Sequence, residues 1–216
     1  MTAEVAVDND VLLKALSYGL EHLFWPEEDH GVIGVLGAAR FVLADRLAKT
    51  NLQRSDINSA LKQLLDRAEV LEPDDEEVDL AAKVEKRASE LGLELDGGES
   101  QLVAMVAKRG IAMFETGDKR AIASLEPMVG EIDELACLCG RVRCLEQIAH
   151  RLAAEDSHFP FVAGCVCKEA DVDRSLSTCF SCYSGGKTNQ AVVLEALLSY
   201  INAIRQTAPT VLEAAP

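Results

Sequence analysis

The segment Val5–Leu13, with the sequence VAVDNDVLL, changes from a strand pattern to a helix pattern at a single acid. Its first three residues form a short apolar run that is typical of a buried strand, and Asp8 follows directly. Asp8 or Asp10 then suits the N-cap of a helix whose apolar residues begin at Val11. The segment therefore predicts a strand that ends in an acid and leads straight into a helix.

Two later junctions show the same order of strand, acid and helix. Leu93–Leu95 precedes a turn that ends in Glu99, and Ile111–Phe114 precedes a turn that ends in Asp118. In an open α/β sheet the carboxyl ends of the strands line one crevice, where ligands bind. Asp8, Glu99 and Asp118 are therefore expected to converge at one edge of the sheet.

Three converging carboxylates repel one another unless a cation lies between them. Mg²⁺ and Mn²⁺ prefer carboxylate oxygens as ligands, so we predict that Asp8, Glu99 and Asp118 form a catalytic site that binds one of these ions. Asp10 and Asp96 are further candidate ligands. Each acid alone is also explained as a helix cap or as a first-turn acid, so the metal hypothesis depends on the three occurring together.

The composition favours an α/β fold in which a mostly parallel central sheet is flanked by helices. Of the 216 residues, 49% are hydrophobic but only 5% are aromatic, which suits helices packed on a sheet better than a β-sandwich. The net charge of −15 counts against binding of nucleic acid by the whole surface, although pairs such as Lys119-Arg120 are compatible with a local basic rim. No apolar run is long enough to span a membrane, and the acidic N-terminus does not resemble a signal peptide. We therefore expect a cytoplasmic protein without a membrane partner.

The pattern of elements divides the chain at residue 130. Residues 1–130 are predicted to form the α/β domain, with a buried helix over Val32–Lys49 and two strand–helix units after residue 92 that imply parallel strands. Residues 131–216 are predicted to form a helical, cysteine-bearing extension packed on this domain. The extension is expected to begin with a long amphipathic helix over 131–155, to continue through an irregular segment over 156–188, and to end in a helix over 189–205.

Three stretches within residues 4–125 resemble PIN domains, a family of metal-dependent nucleases. Val5–Leu13 resembles their first strand and helix, Glu94–Gly110 resembles their Gly-Glu helix, and Ile111–Ala121 resembles their later strand and acidic turn. The resemblance implies a PIN-like fold and an endonuclease that hydrolyses phosphodiester bonds, commonly in RNA. It carries Asp8, Glu99 and Asp118 over as the metal-binding acids. It also suggests a toxin or defence effector, with RNA as substrate and a protein partner such as an antitoxin.

One departure from the family pattern bears on activity. The family usually has a further acid on a later helix, and Val32–Lys49 offers only Asp45, with Asp10 or Asp96 as substitutes. The alternative function is therefore a PIN-like binding or scaffold module without catalysis. Lys119 is a candidate contact for a neighbouring phosphate.

The cysteines all lie after residue 136 and fall into two sets. Cys137, Cys139 and Cys144 are expected on a helix as ordinary thiols. Two close pairs in the irregular segment suit a tetrahedral Zn²⁺ site, with buried thiols or a redox-sensitive pair as alternatives: Cys165, Cys167, Cys179 and Cys182.

The segment Ser184–Thr188 has the sequence SGGKT, which hints at a phosphate-binding loop. It fails the required spacing and follows no strand, so the start of a helix is the better interpretation.

Overall fold

The computed structural model describes residues 3–26, 31–184 and 188–214. Its strands are β1 (Val5–Val7), β2 (Ile33–Leu36), β3 (Glu69–Leu71), β4 (Met113–Thr116) and β5 (Val142–Cys144). Its helices are α1 (Asn9–Tyr18), α2 (Glu21–Phe24), α3 (Ala39–Lys49), α4 (Ile57–Arg67), α5 (Asp75–Leu91), α6 (Gly97–Arg109), α7 (Lys119–Met128), α8 (Leu145–Ala154), α9 (Phe159–Lys168), α10 (Arg174–Cys179) and α11 (Gln190–Thr207). A 3₁₀ helix covers Asp133–Leu138.

The strands form one parallel sheet in the order β3-β2-β1-β4-β5. The expected α/β fold, with a parallel sheet flanked by helices, is therefore confirmed. β1 lies at the centre, and all three of its residues are buried. Val5 and Val7 pack into one hydrophobic cluster, whereas Ala6 packs into another on the opposite face. Helices on both faces are what a parallel sheet requires, because its connections cross over the faces.

The chain after residue 130 is mostly helical, as expected, but it also supplies a strand. β5 pairs with β4, and Val142 forms a further bridge to Leu212 near the end of the described chain. The predicted helix over 131–155 is therefore wrong in its first half. Gly140 adopts a left-handed conformation with φ of +70°, which ends the 3₁₀ helix and turns the chain into β5.

Two predictions of helices and strands before residue 130 are also wrong. The predicted buried helix over Val32–Lys49 begins with β2, whose four residues are all buried, and becomes helical only from Ala39. An apolar run of four to five residues fits a strand covered on both faces as well as it fits a buried helix. Conversely, Leu93–Leu95 forms no strand and connects the C-cap of α5 at Gly92 to the N-cap of α6 at Asp96.

The segment predicted to be irregular contains α9 and α10. The part of the SGGKT stretch over 185–187 lies outside the described residues. No helix among the described residues has both the length and the apolar character needed to cross a bilayer.

Phe114 on β4 tests the packing of the sheet, because its side chain is fully buried. We expect Phe114→Ala to lower the free energy of unfolding by about 3–5 kcal/mol, since it removes a large side chain and leaves a cavity. Phe161→Ala is the matched control, because Phe161 is 51% exposed. Denaturant unfolding of both variants measures the difference, and equal losses would contradict the placement of Phe114.

Candidate functional site

The strand order reverses between β1 and β4, since β2 and β3 lie on one side of this pair and β5 on the other. Ligands bind outside the carboxyl ends of the strands at such a reversal. A cleft of about 680 Å³ opens at this place. Five acids line it: Asp8, Asp10, Asp96, Glu99 and Asp118. The structure therefore brings the three predicted acids and both further candidates to one cleft.

Asp8 follows β1 and caps α1, as its sequence pattern predicts. Its carboxylate accepts a hydrogen bond from the backbone N–H of Asp10 at 3.4 Å and one from the Thr116 hydroxyl at 3.5 Å. Burial raises the pKa of Asp8 to about 6, and the negative charges of Asp10 and Asp96 add to the effect. Asp8 forms no ion pair with the described residues, so its charge is not neutralised by the protein.

Glu99 reaches the cleft from the first turn of α6 rather than from the end of a strand. It forms a capping box with Asp96: the backbone N–H of Asp96 donates to Glu99 Oε2 at 3.0 Å, and the backbone N–H of Glu99 donates to Asp96 Oδ1 at 2.8 Å. The side chain is only 5% exposed. Burial raises its pKa to about 8, with further contributions from the charges of Asp96, Asp8 and Asp118.

Asp118 differs from these two acids because it has a cationic partner. It caps α7, and its carboxylate pairs with Arg120 at 3.0 Å. Burial alone would raise the pKa of Asp118, but the hydrogen bonds from the Arg120 side chain and from the amides of Arg120 and Ala121 outweigh burial and lower it. Asp118 is therefore stabilised in its charged form.

Asp10 is also neutralised, in this case by a half-buried lysine. Lys14 Nζ lies 2.6 Å from Asp10 Oδ2 and 2.8 Å from Asp173 Oδ2, the N-cap of α10. Gly117 allows this arrangement, since a Cβ at that position would lie 2.1 Å from Asp10 Oδ2. The lysine and Asp173 were not predicted from the sequence, because Asp173 is remote from the cleft in the chain.

The helix predicted to supply a further acid does not supply one. Asp45 lies on the exposed side of α3, where it pairs with Lys49 at 2.6 Å, and it does not line the cleft. The acid beside the expected triad is instead Asp96, which the sequence offered as a candidate.

The rim of the cleft is cationic and includes Arg46, Lys119 and Arg120. Arg46 forms no ion pair with any residue that the structure describes. Lys119, the candidate phosphate contact, lines the cleft but pairs with the buried Glu146 at 2.5 Å and lies 5.1 Å from the ring of Tyr200. Arg46 and Glu146 were missed by the sequence analysis, since neither occurs near a recognisable motif.

The acids share the cleft without forming one coordination group. Within residues 3–26, 31–184 and 188–214, no three His, Cys, Asp or Glu side chains have an arrangement that could hold a metal ion. Asp8, Glu99 and Asp118 each keep a separate hydrogen-bond partner. The donor set is nevertheless suited to Mg²⁺ or Mn²⁺, because it consists of carboxylates and two of them lack a cationic partner.

The four cysteines of the predicted zinc site are not brought together as ligands. Cys167 and Cys182 form a disulfide, whereas Cys165 and Cys179 are free thiols. Burial raises the pKa of Cys165 and raises that of Cys179 to about 11. A redox-sensitive pair, one of the alternatives for these cysteines, stays a prediction for Cys167 and Cys182. Cys137, Cys139 and Cys144 are free, but they lie on a 3₁₀ helix, a turn and β5 rather than on one helix.

Comparisons of the chain with protein families, with curated proteins and with solved structures gave no match. The resemblance to PIN domains therefore stays a prediction.

Glu99 should make stability depend on pH. Its carboxyl stays protonated up to about pH 8 in the folded chain but ionises near its usual pKa of 4.5 in the unfolded chain. The unfolded chain therefore binds fewer protons in this window, and the free energy of unfolding falls as the pH rises from about 4.5 to about 8. Glu99→Gln keeps an oxygen for the capping box and should be more stable than wild type at pH 9 by on the order of 2 kcal/mol, after allowance for solvent screening.

Denaturant unfolding at pH 4 and pH 9 measures this effect. The gain should shrink at pH 4, and the exposed control Glu195→Gln should show none. Asp118→Asn should also show no gain at pH 9, because the pKa of Asp118 is lowered rather than raised. If Glu99→Gln is no more stable than the wild type at pH 9, ionisation of Glu99 does not lower the free energy of unfolding and this prediction is wrong.

The disulfide can be separated from a zinc site by counting thiols. Alkylation of the denatured, unreduced chain should modify five of the seven cysteines, as measured by mass spectrometry, and reduction should expose Cys167 and Cys182. Release of one zinc ion on denaturation together with seven modified cysteines would instead support the zinc hypothesis.

Proposed function

We propose that the protein is a metal-dependent endoribonuclease whose acidic cleft binds Mg²⁺ or Mn²⁺. One observation carries the proposal: half-buried Asp8 and buried Glu99 line the same cleft, and neither has a cationic partner among the described residues. Burial raises the pKa of both carboxyls, so their ionised forms are unfavourable unless a cation binds beside them. A divalent cation would supply that positive charge.

The position of the cleft supports this proposal. It opens at the reversal of the strand order, where open α/β sheets bind ligands. The lining combines the acids with three cations, so a phosphodiester chain could contact Arg46, Lys119 and Arg120 while its phosphate faces the carboxylates. In a chain with a net charge of −15, three cations along one cleft form a local basic region.

Asp8, Glu99 and Asp118 are the residues that would hold the ion. Once bound, a divalent ion lowers the pKa of a bound water and neutralises charge on the phosphate oxygens. Glu99 would give up its proton as it becomes a ligand, since its pKa lies near 8 in the protein alone. Asp118 is already ionised, but its carboxylate would have to leave its ion pair with Arg120 in order to bind the metal ion. Arg120 would then be free to contact a phosphate.

A second candidate function is a binding or scaffold module without catalysis. The observation that favours it is the ion pair of Arg120 with Asp118, which supplies positive charge where an ion would have to bind. The placement of Asp45 away from the cleft points in the same direction. In this case the cleft would bind a protein partner, such as an antitoxin, without metal.

Cleavage of a labelled RNA and of the matching DNA with Mn²⁺ or Mg²⁺ tests the first function. We expect cleavage of RNA that EDTA abolishes, and a loss of more than about 100-fold in Asp8→Asn, since changes of outer-shell residues alone reach that size. Asp45→Asn is the control, because it removes an acid from the same region without touching the cleft.

Thermal unfolding tests metal binding independently of nuclease activity. Mn²⁺ should raise the melting temperature of the wild type and of Asp45→Asn, but much less that of Asp8→Asn. No cleavage together with an equal shift, or no shift, in all three proteins would refute the nuclease and favour the module.

A further inference from the structure

A second groove lies beside the acidic cleft along the same edge of the sheet. It has a volume of about 420 Å³ and lies between α3, α4 and the ends of β2 and β3. Its walls are apolar and are formed by Val35, Leu36, Leu61, Leu65 and Val70. Leu36 also marks how near the two cavities are, since its Cδ1 lies 3.5 Å from the position that a Cβ would take at Gly98 in the acidic cleft.

The polar groups of this groove are of two kinds. Arg40 and Lys62 bring positive charge to it, and neither forms an ion pair with a described residue. Asn58 and Asp66 contribute hydrogen-bonding groups to the lining. Apolar walls suit the faces of an aromatic ring, amide and carboxylate groups suit the edge of a base, and unpaired cations suit a phosphate.

An exposed aromatic ring contacts Arg40, one of the residues that line the groove. Phe41 is 67% exposed, and the guanidinium carbon of Arg40 lies 4.7 Å from the centre of its ring. A large aromatic side chain with this exposure has lost little water on folding, so burial in the core does not explain it. Base stacking on aromatic rings, with arginine beside them, is a general mode of binding single-stranded nucleic acid.

Helix α3 connects the groove to the acidic cleft. Arg40 in its first turn lines the groove, whereas Val42 and Arg46 line the cleft. Arg40 and Arg46 are six residues apart, which corresponds to about 9 Å along a helix. They also lie about 120° apart around the helix axis, so α3 presents one arginine without an ion-pair partner among the described residues to each cavity.

We propose that this groove, together with the Phe41 ring beside Arg40, binds a nucleotide of a single-stranded nucleic acid that extends from the acidic cleft. The proposal rests on the proposed function in that it names the substrate as single-stranded and gives its path. It explains why cations without acidic partners occur on α3 and α4 of a strongly acidic protein. The base would stack on Phe41 beside the apolar groove, and the backbone would follow Arg40, Lys62 and Arg46.

Binding is measured in EDTA, so that it is read separately from cleavage. Fluorescence anisotropy with a labelled 12-nucleotide RNA, the DNA of the same sequence and an RNA duplex compares the substrate classes. We expect the wild type to bind the single strands, more weakly as salt rises, and to bind the duplex less well. The difference between RNA and DNA shows which of the two the groove prefers.

Three variants test the groove, and two test its specificity. Phe41→Ala should weaken binding of the single strand about tenfold, as loss of one stacked base would. Arg40→Gln and Lys62→Gln should each weaken it several-fold and reduce the salt dependence. Phe161→Ala and Lys86→Gln are matched controls, since both residues are exposed and lie elsewhere on the surface, and they should bind as the wild type does.

Each result decides the inference. Equal affinities of Phe41→Ala and the wild type, or no binding of either single strand, would overturn it even if RNA is cleaved. Sedimentation that shows a dimer dissociated by Phe41→Ala would overturn it in favour of a self-interface. Phe41-dependent binding without any Mn²⁺-dependent cleavage would support the groove and refute the nuclease.

Discussion

The parallel pairing of β1 with β4 is the constraint on which the rest of the structure depends. β1 is buried on both faces and both edges, because β2 pairs with its other side. The three residues of β1 can be buried in the centre of the sheet only when the neighbouring strands satisfy their backbone groups and helices cover their side chains. The strand order reverses at the same pair, so α1 and α7 leave β1 and β4 with a crevice between them.

Two of the acids serve this backbone geometry as well as the cleft. Asp8 caps α1 and Asp118 caps α7, so each carboxylate satisfies amides that the start of a helix leaves unpaired. Glu99 and Asp96 do the same for α6 through a capping box. Capping alone does not require burial, however, and an acid buried to the extent of Glu99 destabilises the fold when it ionises. The capping role therefore explains where the acids are but not why two of them remain uncompensated.

The sequence predicts correctly that Asp8 and Asp118 follow strands, but it is wrong about the element that precedes Glu99. Asp8 and Asp118 are each preceded by an apolar run that becomes a central strand, and central strands give the clearest pattern. Glu99 was placed correctly for a wrong reason: Leu93–Leu95 is not a strand, and the Asp96–Glu99 spacing of a capping box positions the acid instead. β3 and β5 have three residues each, too few to show a period, and their pairing depends on residues far away in the chain. Long-range partners such as Asp173 and Glu146 leave no local signal at all.

The charges that oppose these acids differ in how firmly they are held, and this difference selects the third ligand of the proposed ion. Lys14 is 12% exposed and is fixed between Asp10 and Asp173, so moving it away would leave an uncompensated charge in a half-buried place. Arg120 is 71% exposed, and its pair with Asp118 competes with water and with Glu94. A divalent cation would therefore displace Arg120 from Asp118 far more readily than it would displace Lys14 from Asp10. Because Asp173 and Glu146 both belong to the chain after residue 130, that part of the protein fixes Lys14 and Lys119 and so sets the charge that the cleft presents.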